Sequence, residues 1–143
     1  MTHGEFSSDL VRTFITSSDR PIFAEDLDQL LHTQDLGDDP VELLVLSACQ
    51  TAKGDDQATL ELAGLAVRAG ARSTLATLWS VDDEATAVVM EEFYRQLVNH
   101  PDYSRAEALR QAQLAFWGRG EQRGRNWQRP FFWSPFVLVG NWL

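Results

Sequence analysis

The chain has 143 residues, of which 44% are hydrophobic, enough to form one domain with its own core. Its formal net charge of −9 disfavours a nucleic-acid partner, because phosphate binding depends on clustered Lys and Arg. The single cysteine cannot form an internal disulfide, and no apolar run reaches the roughly 18 residues of a membrane span. The sequence therefore predicts a cytoplasmic protein with no membrane partner.

The first forty residues predict short strands followed by one helix. Candidate strands at Thr13 to Thr16 and Pro21 to Phe23 suggest a small hairpin after a turn at His3-Gly4. Leucines at helical spacing predict a helix within Ala24 to His32. The polar stretch Gly37 to Pro40 then breaks the chain.

The middle of the chain predicts two buried strands joined by a helix. Glu42 to Ser47 and Ser73 to Leu78 are continuous apolar runs of the kind that parallel sheets bury on both faces. Between them, a helical stripe is expected to end at Gly70. The stripe consists of Leu62, Leu65, Ala66 and Ala69.

The last third predicts two helices and a closing strand. Asp82, Asp83 and Glu84 are expected to open the first helix, and Ser104 and Glu107 form a capping box for the second. The apolar residues of these helices are Ala85, Val89, Phe93 and Leu97 in the first, and Ala106, Leu109, Ala112 and Phe116 in the second.

Beyond those helices, a Gly-rich segment carries the one basic cluster and is interpreted as a solvated loop. The cluster consists of Arg119, Arg123, Arg125 and Arg129. Phe136 to Val139 is the closing strand, and the aromatic residues around it are interpreted as core. These aromatics are Phe131, Phe132, Trp133 and Phe136. The order of elements predicts an α/β fold with a mainly parallel, helix-covered sheet, whose active positions lie at the carboxyl ends of strands.

Cys49 follows the first buried strand by about two residues, in the sequence Ser-Ala-Cys-Gln-Thr. A thiol attacks a carbonyl when a base takes its proton and N–H groups hold the developing oxyanion. His3, 46 residues upstream, is the candidate base, at a spacing similar to that of caspase-type enzymes. The backbone N–H groups of Gly4 and Cys49 are candidates for the oxyanion hole. The alternative is a buried, inert cysteine.

Other chemistry fits the sequence less well. A nucleophile elbow requires glycines two positions either side of the nucleophile, where this chain has Ser47 and Thr51. A phosphate-binding loop fails because Lys53 precedes Gly54 and no earlier glycine completes the motif.

Metal binding is also disfavoured by the sequence. Cys49 and the three histidines, at positions 3, 32 and 100, form no ligand cluster. His32, at a predicted helix end, and His100, before a proline, are interpreted as bystanders. No metal and no cofactor is expected.

The segment after the second buried strand is expected to border the same cleft as Cys49. Trp79, Ser80, Asp82 and Asp83 are candidate substrate-binding residues, and the carboxylates favour a basic substrate side chain. The alternative for Asp82 and Asp83 is that they cap the following helix and complement its dipole.

An ordered series of motifs along the chain resembles the CHAT domain, a caspase-like module often found beside tetratricopeptide repeats in bacteria. The motifs are Thr2-His3-Gly4, Leu44 to Thr51, Ala63 to Ala66, Ala69 to Ser73, Leu78 to Asp83, Ala106 to Gln113 and Phe132 to Trp142. The similarity runs essentially from end to end.

The resemblance implies a caspase/separase-like α/β/α sandwich that hydrolyses peptide bonds in protein or peptide substrates with a Cys-His dyad and no cofactor. His3 matches the family's dyad histidine, Cys49 its nucleophile, and Gly4 the glycine whose N–H helps to form the oxyanion hole. The same pair is selected by the chemistry of the residues themselves.

The position of the His-Gly pair bears on how much of a CHAT domain the chain contains. In the family this pair ends an internal strand that more of the domain precedes, whereas here it lies at residues 3 and 4. Residues 1–143 are therefore expected to be the C-terminal portion of a single CHAT domain, with N-terminal strands missing and completed by an upstream segment or a partner chain. The two functional hypotheses are a cysteine endopeptidase and an inactive fragment or protein-interaction scaffold derived from one.

Overall fold

The computed structural model describes residues 3–5, 14–16, 21–23, 26, 29, 31, 40–46, 56–122 and 126–143. For residues 3–5, 14–16, 21–23, 56–58 and 121–122 it describes the backbone alone. The chain forms two compact units. The first, here called the sheet unit, comprises Met1–Ser80 and Phe136–Asn141, and the second, the helical unit, comprises Val81–Pro135 and Trp142–Leu143.

A small antiparallel sheet lies near the start of the sheet unit. Its strands are β1 (His3–Glu5), β2 (Phe14–Thr16) and β3 (Pro21–Phe23), in the order β1-β2-β3. Both neighbouring pairs are antiparallel, so the predicted hairpin of the second and third strands is confirmed. The expected turn at His3-Gly4 is wrong, because both residues lie in β1.

A second sheet has the order β4-β5-β6, with β4 at Leu44–Leu46, β5 at Ser73–Thr77 and β6 at Phe136–Gly140. β4 and β5 are parallel, as predicted, but β6 runs antiparallel to β5. The expectation of a mainly parallel sheet is therefore corrected to a mixed one. A continuous apolar run looks the same in either direction, since side chains alternate with a period of two in both kinds of sheet.

Helix α1 (Asp56–Arg68) lies between β4 and β5 in the chain and packs on their sheet. Its core cluster consists of Leu46, Leu62, Ala63, Ala66 and Ala76, with Leu31, Leu44, Val137 and Val139 packed against it. The helix ends as predicted, at Gly70, whose φ of 113° suits glycine. The N–H of Ala71 donates to the Ala66 carbonyl at 3.1 Å and that of Gly70 to the Val67 carbonyl at 3.2 Å, which is a Schellman motif.

The helical unit contains α2 (Asp83–Asn99), α3 (Arg105–Gln122) and the single-turn α4 (Pro130–Trp133). α2 buries the predicted face, with Ala85, Val89 and Phe93 fully enclosed. The predicted capping of α3 is confirmed on one side, since the Glu107 N–H donates to the Ser104 hydroxyl at 3.1 Å.

The Gly-rich segment predicted to be a solvated loop is partly helical, because α3 continues to Gln122. Gly120 is buried, and a Cβ added there would lie 2.7 Å from the Cβ of Trp127. The missing side chain lets Trp127 stack on Phe116, with ring centroids 4.8 Å apart. Glycine therefore serves close packing at this position rather than a turn.

The aromatic residues before the last strand divide between core and surface. Phe136 is 3% exposed, which confirms its predicted place in the core, whereas Phe131 is 52% exposed. The expectation that all four aromatics are core is wrong for Phe131, which lies on the outside of α4. Among the described helices, none is long and apolar enough to cross a membrane.

Candidate functional site

Two parallel strands frame the candidate site. β4 ends at Leu46 and β5 at Thr77, and Leu46 pairs with Ala76 in the parallel register. The carboxyl ends of the two strands therefore lie at one edge of the sheet. In the sequence, Cys49 comes three residues after Leu46. It lies outside the described residues.

His3 and Gly4 belong to β1, where they pair with Thr16 and Ile15 of β2. Backbone pairing fixes these two positions in an extended strand, in which successive side chains point to opposite faces. The imidazole of His3 and the thiol of Cys49 are both outside the described atoms. Their pairing as a dyad, and the oxyanion hole of Gly4 and Cys49, stay predictions.

Trp79 and Ser80 come two and three residues after the end of β5, where the chain leaves the sheet at its carboxyl edge. Trp79 is half-buried and Ser80 is exposed. This edge is where ligands bind to open α/β sheets, so the position of both residues in the fold agrees with the role predicted for them. The role itself stays a prediction.

Asp82 and Asp83 begin the helical unit at the start of α2. A carboxylate oxygen of Asp82 accepts a hydrogen bond from the Ala85 N–H at 2.8 Å, and the Asp82 carbonyl accepts from the Thr86 N–H at 3.0 Å. Asp82 is therefore the N-cap of α2, the alternative interpretation of its sequence. Asp83 is the exposed first residue of the helix, where a negative charge complements the helix dipole.

Thr86, one turn into α2, is a buried polar residue that no pattern in the sequence singles out. It is 7% exposed, and its hydroxyl oxygen is buried without a hydrogen-bond partner in the described part of the chain. A buried polar group without a partner is uncommon in native proteins. No signal in the sequence could have found it, because threonine is an ordinary residue in the first turns of helices.

His100 ends α2 and stacks on a neighbouring ring, while its interpretation as a bystander stays a prediction. Its backbone N–H donates to the Gln96 carbonyl at 3.0 Å and ends α2, and its ring stacks on Tyr103 with centroids 4.4 Å apart. Over the ranges that the structure describes, no three His, Cys, Asp or Glu side chains are grouped so that they could hold a metal ion.

Comparison with known families gives one match. The family model described as the CHAT domain matches residues 1–141, which is nearly the whole chain. The matched range includes both the His-Gly pair of β1 and Cys49. A search among curated proteins found none that matches the chain.

Proposed function

The chain belongs to the CHAT domain family, and on that premise we propose that it is a cysteine endopeptidase that uses Cys49 as nucleophile and His3 as general base. The observation that carries the proposal is the family match itself, because it spans positions 3 and 49 together. CHAT is a family of caspase-like peptidases, and the resemblance matches His3 to the family's dyad histidine and Cys49 to its nucleophile, the two groups that such chemistry needs.

The proposed reaction has two stages. His3 takes the proton of the Cys49 thiol, and the thiolate sulfur forms a bond to the carbonyl carbon of the substrate peptide. The N–H groups of Gly4 and Cys49 hold the oxyanion. When the intermediate collapses, the C–N bond breaks and His3 gives its proton to the leaving amine. A water molecule, deprotonated by His3, then forms a bond to the thioester carbon. The C–S bond breaks, the acid product leaves, and the Cys49 thiolate takes its proton back from His3.

The fold of the sheet unit supports this assignment. β4 and β5 are parallel, and α1 packs on their sheet. The carboxyl ends of both strands therefore lie at the same edge of the sheet, where the segment after β5 begins. A thiol that follows β4 within a few residues would meet substrate at that edge. The caspase-like α/β/α sandwich is part of the proposal, as are the cytoplasmic location and the bacterial origin.

Trp79 and Ser80 are proposed to line the substrate cleft of the sheet unit. Asp82 and Asp83, which belong to the helical unit, are proposed to bind substrate through their carboxylates. A half-buried indole offers an apolar wall, and exposed carboxylates favour a basic substrate side chain. Asp83 is the better candidate of the two acids, because an oxygen of Asp82 already accepts the capping hydrogen bond.

An activity-based probe tests the dyad. A peptide acyloxymethyl ketone alkylates a cysteine only when the thiol is activated, so we expect it to label the wild-type chain and neither Cys49→Ala nor His3→Ala. His100→Ala is the matched control, since His100 ends a helix and stacks on Tyr103. We expect its labelling to equal that of the wild type.

Two outcomes would contradict the proposal. Equal labelling of wild type and His3→Ala would remove His3 from the mechanism. Absence of labelling in a folded wild-type chain would favour the alternative, an inactive fragment or protein-interaction scaffold that descends from a peptidase.

A further inference from the structure

Helix α3 has large apolar residues on two opposite faces. Its inner face is buried, as expected for a helix in a core, and consists of Ala108, Leu109, Ala112 and Phe116. On the outer face, where charged residues are the rule, Leu114 is 51% exposed and Trp117 is 46% exposed. Neighbouring exposed apolar side chains of this size mark interaction sites more often than single exposed ones do.

The outer face of α3 and the helix α4 form a groove of about 390 Å³, here called the tryptophan groove. Four of its residues lie on α3 at the spacing i, i+3, i+4 and i+7, and the fifth lies on α4. They are Arg110, Gln113, Leu114, Trp117 and Trp133. The spacing makes the α3 wall a stripe about two helical turns long, roughly 10 Å.

Hydrogen bonds hold the second wall of the groove in place. The side-chain amide of Gln113 donates to the Trp133 carbonyl at 3.0 Å, which joins α4 to α3. The indole N–H of Trp133 donates to the Gln128 carbonyl at 3.3 Å, which orients the ring. The groove therefore exists before any ligand binds, and a ligand would not have to order its walls.

The walls of the groove favour a helix as the occupant. The α3 wall is a helix whose backbone groups are bonded internally, and the Trp133 carbonyl of the α4 wall already accepts from Gln113, so the groove offers an incoming chain side chains and no strand edge. An extended peptide would leave its own backbone groups unpaired against apolar rings, which is unfavourable for each buried group. A helix satisfies its backbone itself and presents apolar residues at the same i, i+3, i+4 and i+7 spacing.

The charged residues at the rim of the tryptophan groove favour a helix with acidic flanks over one with basic flanks. Although the whole chain has a net charge of −9, one arginine lines the groove and another directly precedes its α4 wall. Arg110 lines it and binds Glu107 through Nε and Nη2, so Nη1 is not engaged by that carboxylate. Arg129, exposed, directly precedes α4, one helical turn or roughly 6 Å along the axis from Trp133. Of these described charged side chains, Arg110 and Arg129 are basic and Glu107 is acidic, so their net charge at this rim is positive.

We propose that the tryptophan groove binds an amphipathic helix of a partner protein, with two turns of apolar residues in the groove and acidic residues along the flanks. The proposal does not rest on peptidase activity, since every residue that carries it lies in the helical unit.

A pair of matched peptides tests the proposal by fluorescence polarisation with the full chain. Both are stapled two-to-three-turn helices with leucines at i, i+3, i+4 and i+7; one has glutamates on its flanks and the other has lysines. We expect the glutamate peptide to bind at least about 10-fold more tightly, and less tightly as salt rises. We expect Trp117→Glu to weaken its binding by about 10-fold or more. Arg129→Glu should reduce the preference for glutamate.

Val98→Glu is the matched control, because Val98 is also apolar and exposed, at 76%, but lies on α2. We expect its binding to equal that of the wild type. Circular dichroism verifies that the variants fold, which their surface positions favour.

Four results would overturn the proposal. They are binding of neither peptide, equal or tighter binding of the lysine peptide, unchanged binding by folded Trp117→Glu, and loss of binding by Val98→Glu. Sedimentation with phosphatidylcholine vesicles that Trp117→Glu abolishes would assign the groove to a lipid surface instead. Self-association abolished by the same variant would assign it to a second copy of the chain.

Discussion

The sheet unit and the helical unit bury polar groups in two different ways. All five residues of β5 are buried, none is charged, and its backbone is paired with β4 on one side and β6 on the other. α2 instead buries a carboxylate, Glu92, at 5% exposure. Because the backbone of a helix is bonded internally, two helices that need a polar connection must make it with side chains.

The connection in the helical unit is a cluster around Glu92. Its carboxylate accepts hydrogen bonds from Arg95 at 2.6 Å and Arg119 at 2.8 Å on one oxygen, and from Gln96 at 2.8 Å on the other. Arg119 belongs to α3, so the cluster joins the two helices. We therefore expect changes in backbone packing to lower the free energy of unfolding most in the sheet unit, and changes in charge to lower it most in the helical unit.

The largest change in the free energy of unfolding is expected for a substitution at Gly140 in β6. Its φ is 97°, and a Cβ there would lie 2.6 Å from the Arg72 carbonyl oxygen and 3.0 Å from a methyl of Val67. We expect Gly140→Ala to lower the free energy of unfolding by about 3 kcal/mol, from strain in φ together with the backbone clash. Urea titration measures the change.

Gly70→Ala separates the two causes, because Gly70 also has a positive φ but nothing within 4 Å of a Cβ. We expect it to lower the free energy of unfolding by about 1 kcal/mol, from strain alone. Equal losses in the two variants would show that close packing at the end of β6 contributes nothing.

The next effect tests the charged cluster. Glu92→Ala leaves Arg95 and Arg119 without their shared carboxylate, and we expect it to lower the free energy of unfolding by about 2 kcal/mol. Loss of one partner in a buried pair costs about 3–5 kcal/mol. The estimate is lower here because the two arginine side chains are 41% and 31% exposed and can rehydrate.

Glu91→Ala is the control for this variant. Glu91 also binds Arg95, but its side chain is 63% exposed, so its loss should change the free energy of unfolding by less than about 0.5 kcal/mol. A Glu92→Ala variant as stable as Glu91→Ala would mean that burial gives the cluster no added strength.

Asp82 offers a smaller effect that bears on the candidate site. Removing the cap with Asp82→Ala should lower the free energy of unfolding by about 1 kcal/mol, whereas Asp82→Asn keeps a capping oxygen and should lower it by a few tenths. Peptide cleavage measured on both variants then separates capping from substrate binding. If Asp82→Asn loses activity toward basic substrates while its stability is kept, Asp82 has a second role at the cleft.

Much of the fold follows from local patterns in the sequence. The stop at Gly70, the cap at Asp82 and the buried run of β5 were predictable, because each depends on residues within one or two turns. The direction of β6 was not, since an apolar run such as Phe136 to Val139 has the same pattern in parallel and antiparallel sheets. The place of Gly120 was not either, because a glycine required by a distant Trp127 looks in the sequence like a glycine required by a turn.

In the candidate site too, the features that depend on neighbouring residues were predictable and those that depend on tertiary structure were not. The capping role of Asp82 is local and is confirmed by one hydrogen bond. The dyad depends on residues 46 positions apart, whose meeting is a property of tertiary structure and not of spacing. For that reason His3 and Cys49 need the probe experiment, while Asp82 does not.

The smallest effect is a pH dependence at the surface of the helical unit, at Glu107. Hydrogen bonds from Arg110, and then from Gln111, lower the pKa of this carboxyl to about 2, from about 4.3 in an unfolded chain. A lowered pKa contributes stability that is fully present above the unfolded value and is lost as the pH falls through the folded one. We therefore expect Glu107 to stabilise α3 at pH 5, and to lose that contribution between about pH 4.3 and 2.

Carboxyl NMR of the wild type should give a midpoint near 2, and Arg110→Gln should raise it. A wild-type midpoint near 4.3 would show that this exposed pair has no effect on α3, and would limit the importance of charge in the helical unit to the buried cluster at Glu92.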